Sequence, residues 1–268
     1  VTAWNPLYDL WLSLADDDGE IDPFQNVPAT VTRIKGTDLH SVEFPQSDLS
    51  MLDIRESSKR LIRVSEARAW ACRVYAWSIP STEVITALAT MFADCGIVDP
   101  LAGTGYWARV LSDVGLPVTA TDLFIPQIGA SPAGYDNCDA IGGNPYHRDI
   151  DPWFPVLKAD AASSATVNHE KALLLSWPPY NDDTGAKALE AYHAADGRDV
   201  IYVGEGNGGC TGDDRMHALL GDGYCSSYDD DHTDCICTVE QLFKEITSMP
   251  VPQWWGIHDR LTIYRRVS

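Results

Sequence analysis

An aspartate ahead of a double-glycine turn and, further along, a Pro-Pro-Tyr turn are the residues of this chain best suited to chemistry. The first run is Val98-Asp99-Pro100-Leu101-Ala102-Gly103-Thr104-Gly105 and the second is Leu174-Leu175-Ser176-Trp177-Pro178-Pro179-Tyr180. A Gly-x-Gly turn lets backbone amides approach a ligand with no side chain in the way. Asp99 beside it offers a carboxylate to a cationic group. Trp177 and Pro178 open a rigid turn that presents Tyr180 for stacking. Asp122 and Asp160 each close a predicted strand, where a carboxylate can accept from a ligand or simply cap a loop. For proton transfer the candidates are Glu205 in a glycine loop, His258 with Asp259 in a late turn, and His147 in a long loop. Each of these has a structural alternative as a buried or solvated polar group.

The elements that must position these groups read as strand and helix in alternation, which argues for a parallel sheet covered on both faces. The predicted strands are Gly96 to Asp99, Val118 to Asp122, Val156 to Asp160, Ala172 to Trp177, Val200 to Val203 and, closing the sheet, Leu261 to Arg265. Predicted helices cover Tyr106 to Val114 and Thr184 to Ala194. In such a sheet the turns after the strands overhang one crevice. Phe124 to Pro155, rich in Gly, Pro and Asn, is long enough to act as a lid there. Upstream, the apolar spacing of Trp4, Leu7, Tyr8, Leu10, Trp11 and Leu14 suggests a short amphipathic helix followed by irregular chain. Met51 to Trp77 suits a long helix, stopped before Pro80. Ser81 can cap the next helix, with Glu83 in its first turn. The division expected is an N-terminal extension, largely helical and irregular, over 1–78, and a Rossmann-like domain over 79–268.

The two runs resemble the first and fourth motifs of class I S-adenosylmethionine (SAM)-dependent methyltransferases. Asp99 to Gly105 looks like the Asp-Pro-Phe-x-Gly-Ser-Gly form of the amino-methyltransferases, whose fourth motif is Asp/Asn/Ser-Pro-Pro-Tyr/Phe. The runs from Tyr75 (Tyr-Ala-Trp-x-Ile-Pro), Gly103 (Gly-Thr-Gly-Tyr-Trp-Ala), Trp177 (Trp-Pro-Pro-Tyr), Gly204 (Gly-Glu-Gly-x-Gly-Gly-Cys-Thr-Gly) and Pro252 also resemble a set of methyltransferase-like proteins. The resemblance implies a mostly parallel seven-stranded sheet and SAM as cofactor. It places Asp99 beside the cofactor's ammonium group, Gly103 and Gly105 against its backbone-facing side, Asp122 on the ribose hydroxyls and Asp160 on the adenine amino group. Trp177 and Pro178 flank the same site, while Trp77 and Pro80 close over the methionine end. Tyr180, Glu205 and His258 are left for the substrate side.

One departure matters. The first position of the fourth motif is Trp177, whose indole can donate a hydrogen bond and cannot accept one. Ser176, one place earlier on a strand, points to the other side. Base methylation is therefore disfavoured, and Glu205, His258 or His147 must supply any proton acceptor. Gly204-Glu205-Gly206-Asn207-Gly208-Gly209 formally matches the dinucleotide fingerprint, but it follows the fifth strand of the series, so it is expected to be a close-approach loop on the substrate side.

Composition narrows the partners. The 39 acidic and 19 basic residues give a net charge of −20, a field that repels polyanions, so direct nucleic-acid binding is not expected. Arg55, Lys59, Arg60, Arg63, Arg68 and Arg73 spread around the long helix and read as a solvated face. No apolar run approaches the roughly 20 residues that span a bilayer. The seven cysteines do not form a secreted disulfide framework. Cys225, Cys235 and Cys237, with His232 between them, have poor zinc spacing and read as an acidic loop with free thiols or a local disulfide. A soluble intracellular chain is expected, an organellar location after loss of a targeting segment being one form of it. Two functions stand: a SAM-dependent methyltransferase of a small molecule or protein, and an inactive methyltransferase-like subunit of a larger assembly.

Overall fold

The alternation of apolar side chains along each strand decides the architecture. Ile97, Leu174, Ile201, Val203 and Ile263 pack in one core, while their neighbours Val98, Leu173, Leu175, Val200, Tyr202 and Tyr264 pack in a second. Both faces of the sheet are thus dry, as parallel strands require. The computed structural model describes residues 4–16, 19–21, 30–33, 40–43, 51–129, 144–223 and 239–267.

Seven strands form the main sheet: β3 (Ile97–Asp99), β4 (Val118–Asp122), β5 (Val156–Lys158), β6 (Ala172–Ser176), β7 (Asp199–Gly204), β8 (Phe243–Pro250) and β9 (Arg260–Arg266). Their order is β5-β4-β3-β6-β7-β9-β8, parallel from β5 to β7, with β9 antiparallel to both of its neighbours. This is the Rossmann-like class I methyltransferase fold expected from the sequence. The chain runs outward from β3 to β5 and then returns to β6 on the other side of β3. The carboxyl ends of β3 and β6 therefore part, and a ligand crevice opens between them.

The first core holds α3 (Thr82–Met91), α4 (Tyr106–Asp113) and part of the N-terminal extension; the second holds α5 (Ala161–Val167), α6 (Thr184–Ala194) and α7 (Asp214–Leu219). Ser81 caps α3 through Val84 N at 3.3 Å, as its position suggests. Asp213 caps α7 through Met216 N at 2.8 Å. Truncating a side chain such as Leu174, fully buried at the centre of the sheet, would cost about 2–5 kcal/mol.

The extension comprises α1 (Pro6–Leu14), an antiparallel pair β1 (Thr30–Arg33) and β2 (His40–Glu43), and α2 (Met51–Val74). The pair β1 and β2 stands where irregular chain was expected. Leu7, Trp11, Val64 and Ala71 share the first core with Ile79, Leu111 and Trp254. Specific bonds fasten α1. The Tyr106 hydroxyl donates to Asn5 Oδ1 at 2.7 Å and accepts from Leu7 N at 3.0 Å, and Trp11 Nε1 donates to the Gln253 carbonyl at 2.9 Å.

Cys225, Cys235, Cys237 and His232 lie outside the described residues, as does the middle of the Phe124 to Pro155 segment. Among the described residues, no helix is long and apolar enough to cross a membrane, and no group of three or more His, Cys, Asp or Glu is placed to hold a metal ion.

Candidate functional site

A cavity of about 1010 Å³ opens where β3 and β6 part. Asp99 and Gly103 reach it from the end of β3, Asp122 from β4 and Asp160 from the turn after β5. Ser176, Trp177, Pro178 and Tyr180 reach it from β6. Gly105, Glu205 and His258 do not line it.

Asp99 is buried, and its Oδ1 has no hydrogen-bond partner. Burial, reinforced by the charge of Asp122, pushes its carboxyl up to about 8 against the pull of the Leu101 amide. Asp122 is also pushed up, to about 6, by burial. Its two oxygens hold the turn together: Oδ2 accepts from Gly103 N at 2.8 Å and Oδ1 from Phe124 N at 2.9 Å. Asp160 is exposed and caps α5 through Ser163 N at 2.9 Å, a bond that keeps its carboxyl below the usual range.

The two glycines meet different demands. Gly103 has φ +52°, and a Cβ there would lie 2.6 Å from His147 Nε2. His147 is buried in the cavity wall with Nδ1 3.0 Å from the Arg73 carbonyl, and burial pushes its pKa down, holding the ring neutral. Gly105 has φ +72° at the N-cap of α4, and a Cβ there would meet Phe154 Cβ at 3.0 Å and Val156 Cγ2 at 3.1 Å. Close packing against the strand that follows Phe154 is therefore what its bareness serves.

The turn after β6 carries the least common backbone of the site. Trp177 sits at φ +51°, where a bulky side chain is rarely found. Three contacts hold it. Its indole Nε1 donates to Asp259 Oδ2 at 2.8 Å, its backbone N donates to the Val203 carbonyl at 2.8 Å, and its ring stacks on Trp77 with centroids 5.2 Å apart and planes 22° apart. Asp259 is buried with Oδ1 unpartnered, and burial pushes it up to about 7. It thus positions the indole. Ser176, expected on the other side of its strand, lines the cavity, with Oγ 2.8 Å from Ser78 Oγ, which in turn accepts from Trp107 Nε1 at 3.0 Å. Tyr180 stands at the mouth, 69% exposed.

Glu205 has both oxygens committed: Oε2 accepts from Cys210 N and Oε1 from His258 N, each at 2.8 Å. The His258 ring lies 3.5 Å from Oε1 with its side chain 67% exposed. The glycine loop closes on this glutamate rather than on a ligand, since a Cβ on Gly209 would lie 2.4 Å from Glu205 Cβ. Of the run from Gly204 to Gly212, Cys210 alone reaches the cavity.

Arg68, Asn144 and Tyr146 line the cavity and are additions to the residues the motifs suggest. Arg68 in particular leaves the solvated helix face on which its spacing placed it. Only the Tyr75 motif hinted that the end of α2 meets the site.

No protein-family model matches the chain, and no curated protein matches it. Solved structures to which it is similar include a magnesium protoporphyrin IX methyltransferase from Synechocystis PCC 6803 with bound SAM, at 11% identity over 100% of both chains and a TM-score of 0.38. Another is the 1,6-didemethyltoxoflavin-N1-methyltransferase of Burkholderia thailandensis, at 12% identity over 90% of this chain and 96% of that one, TM-score 0.37. The strand order, not these likenesses, defines the fold.

Proposed function

We propose that the chain is a SAM-dependent methyltransferase acting on a small molecule or a protein side chain. The observation that carries this reading is Asp99, a buried carboxylate with an unpaired oxygen in the wall of a large cavity at the parting of β3 and β6. A buried acid oxygen left without a partner is costly unless a ligand completes it. An ammonium group fits that need. Asp122 and Asp160 beside it supply carboxylate oxygens for hydroxyl and amino groups, an acceptor set that fits SAM. When bound, SAM supplies a methyl group on a cationic sulfur.

The chain's own part is binding, alignment and exclusion of water. Trp77, Trp107, Trp177 and Tyr146 wall the cavity with apolar rings. Trp177 is committed as a donor to Asp259, so the side chain at the first position of the turn after β6 offers no acceptor for a target amine. His147 lines the cavity with its ring held neutral by burial and its Nδ1 on the Arg73 carbonyl, which leaves Nε2 as a hydrogen-bond acceptor. Glu205 and His258, which do not reach the cavity, act by bracing the loop after β7.

The test is cofactor binding. Saturating SAM or its demethylated product, S-adenosylhomocysteine (SAH), should raise the melting temperature, by an amount matching about 2.7 kcal/mol at a hundredfold excess over Kd. Asp122→Ala should remove most of that gain. An unchanged melt and a flat calorimetric trace with a folded protein would replace this reading with that of an inactive scaffold subunit.

A further inference from the structure

The cavity has two electrostatic poles. Asp99, Asp122 and Asp160 stand at the ends of β3, β4 and β5. At the end of β6 the wall is made by Trp177, Trp77 and Arg68, the last reaching in from α2. The Arg68 guanidinium carbon lies 5.6 Å from the centre of the Trp77 ring and 5.8 Å from that of Trp177. Its Nε is buried without a hydrogen-bond partner. The charge of Arg68 acts on Cys72 and Asp259, and does not figure among the influences on Asp99 or Asp122. Lys187, the other lining cation among the described residues, is taken up by Asp183 at 2.8 Å.

A guanidinium held beside aromatic rings keeps its planar fork of N–H donors, the geometry that grips a carboxylate with two parallel bonds. The stacked rings offer a flat apolar surface beside it. The cavity, at about 1010 Å³, reaches the top of the roughly 300–1,000 Å³ range of single-ligand pockets, which leaves room for a second molecule beside a cofactor. With several aspartates in the same wall, one guanidinium balances one negative charge; a dianion would be repelled.

We propose that Arg68 is a specificity-determining residue and that the methyl acceptor is a planar small molecule bearing a carboxylate, held on Arg68 with its flat body against the Trp77 and Trp177 pair. This rests on the methyl-transfer reading above. It agrees with the turn after β6, where Trp177 offers nothing to an amine.

The experiment titrates the full chain, with and without SAH, with three matched probes: 2-naphthoate, 2-naphthamide and 2-naphthyl phosphate. The acid should bind about tenfold or more tightly than the amide, and more tightly than the phosphate. Arg68→Gln should erase the preference for the acid and Arg68→Lys should keep part of it, with SAH affinity within twofold of the wild type in both. Equal binding of acid and amide by the wild type, tighter binding of the phosphate, binding of none of the three, or a preference that survives in Arg68→Gln would each overturn the proposal. So would a tenfold loss of SAH affinity in Arg68→Gln with no loss for 5′-methylthioadenosine, since Arg68 would then serve the cofactor's own carboxylate. Wild-type chain that takes no SAH would sink the methyl-transfer reading and the acceptor role with it. SAH binding without acid preference sinks the present proposal alone.

Discussion

Cofactor binding should expel a proton, and Asp99 is its source. With its carboxyl at about 8 in the ligand-free protein, Asp99 is neutral in roughly nine-tenths of molecules at pH 7. A cation beside it favours the ionised form. Binding near neutrality then releases close to one proton, and affinity rises with pH until the free carboxyl is already ionised. Relative to the plateau above pH 8, the association constant should be about tenfold lower at pH 7 and about a hundredfold lower at pH 6, a span of about 2.7 kcal/mol. Asp122, at about 6, adds its own proton only at the acid end of this range. Calorimetry of SAH in buffers of differing ionisation enthalpy gives the proton count directly, and Asp99→Asn is the control. The same group sets a stability trend. A carboxyl raised from its unfolded value to about 8 stabilises fully below the unfolded pKa of about 4, and this is lost as pH rises through the folded one. Ligand-free protein should therefore melt lower as pH climbs from 5 to 8, and less steeply in Asp99→Asn. A wild-type affinity that is flat from pH 6.5 to 8.5, or a slope kept intact in Asp99→Asn, would refute the assignment.

Three substitutions probe the surrounding frame. Gly103→Ala places a methyl 2.6 Å from His147 Nε2 on a backbone at φ +52°, and should cost about 1–3 kcal/mol and the SAM-induced shift in a thermal melt; a melt like that of the wild type would show the turn to be pliant. Trp177→Phe keeps a ring for Trp77 but strips Asp259 of its donor, so urea unfolding should report a loss of about 1–3 kcal/mol, and an unaltered midpoint counts against Asp259 as the group that positions this turn. In Glu205→Gln, amide exchange at Cys210 or His258 should quicken as one of two acceptor oxygens is lost. Unchanged exchange with abolished turnover would return Glu205 to the chemistry.

Buried strands announce themselves, and their exposed partners do not. Leu173, Leu174 and Leu175 in β6 and Val200 to Val203 in β7 are apolar on both faces because helices cover both sides of the sheet. That forced composition made them legible. β8 reads Phe-Lys-Glu-Ile-Thr-Ser-Met-Pro, lies at the sheet edge with most side chains exposed, and carries a register shift between Glu245 and Thr247. Nothing in its pattern is demanded by burial, so it escaped notice. The same logic applies to the site. Asp99, Asp122 and the turn at Trp177 are local to strand ends, and motif spacing finds them. Arg68 lies amid five other basic residues of 55–73, and only the packing of α2 against Trp77 and Trp177 separates it from those neighbours. Sequence alone sets Glu205 and His258 on the substrate side, because polar residues near a glycine loop carry no sign of whether they face a ligand or each other.

The bond from Trp11 to the carbonyl of Gln253 joins positions 242 residues apart. A chain made from its amino end must hold α1, with Leu7 and Trp11 unshielded, while the 242 residues up to Gln253 are synthesised. Tyr106 can engage Asn5 and Leu7 once α4 has emerged, which offers α1 a provisional berth; its final seat exists only after the turn before β9 leaves the ribosome. Separations of this length slow folding and prolong the time in which apolar surface can find the wrong neighbour. A segment translated 242 residues ahead of its partner is therefore among the last to be locked in place, and chaperone dependence should concentrate there.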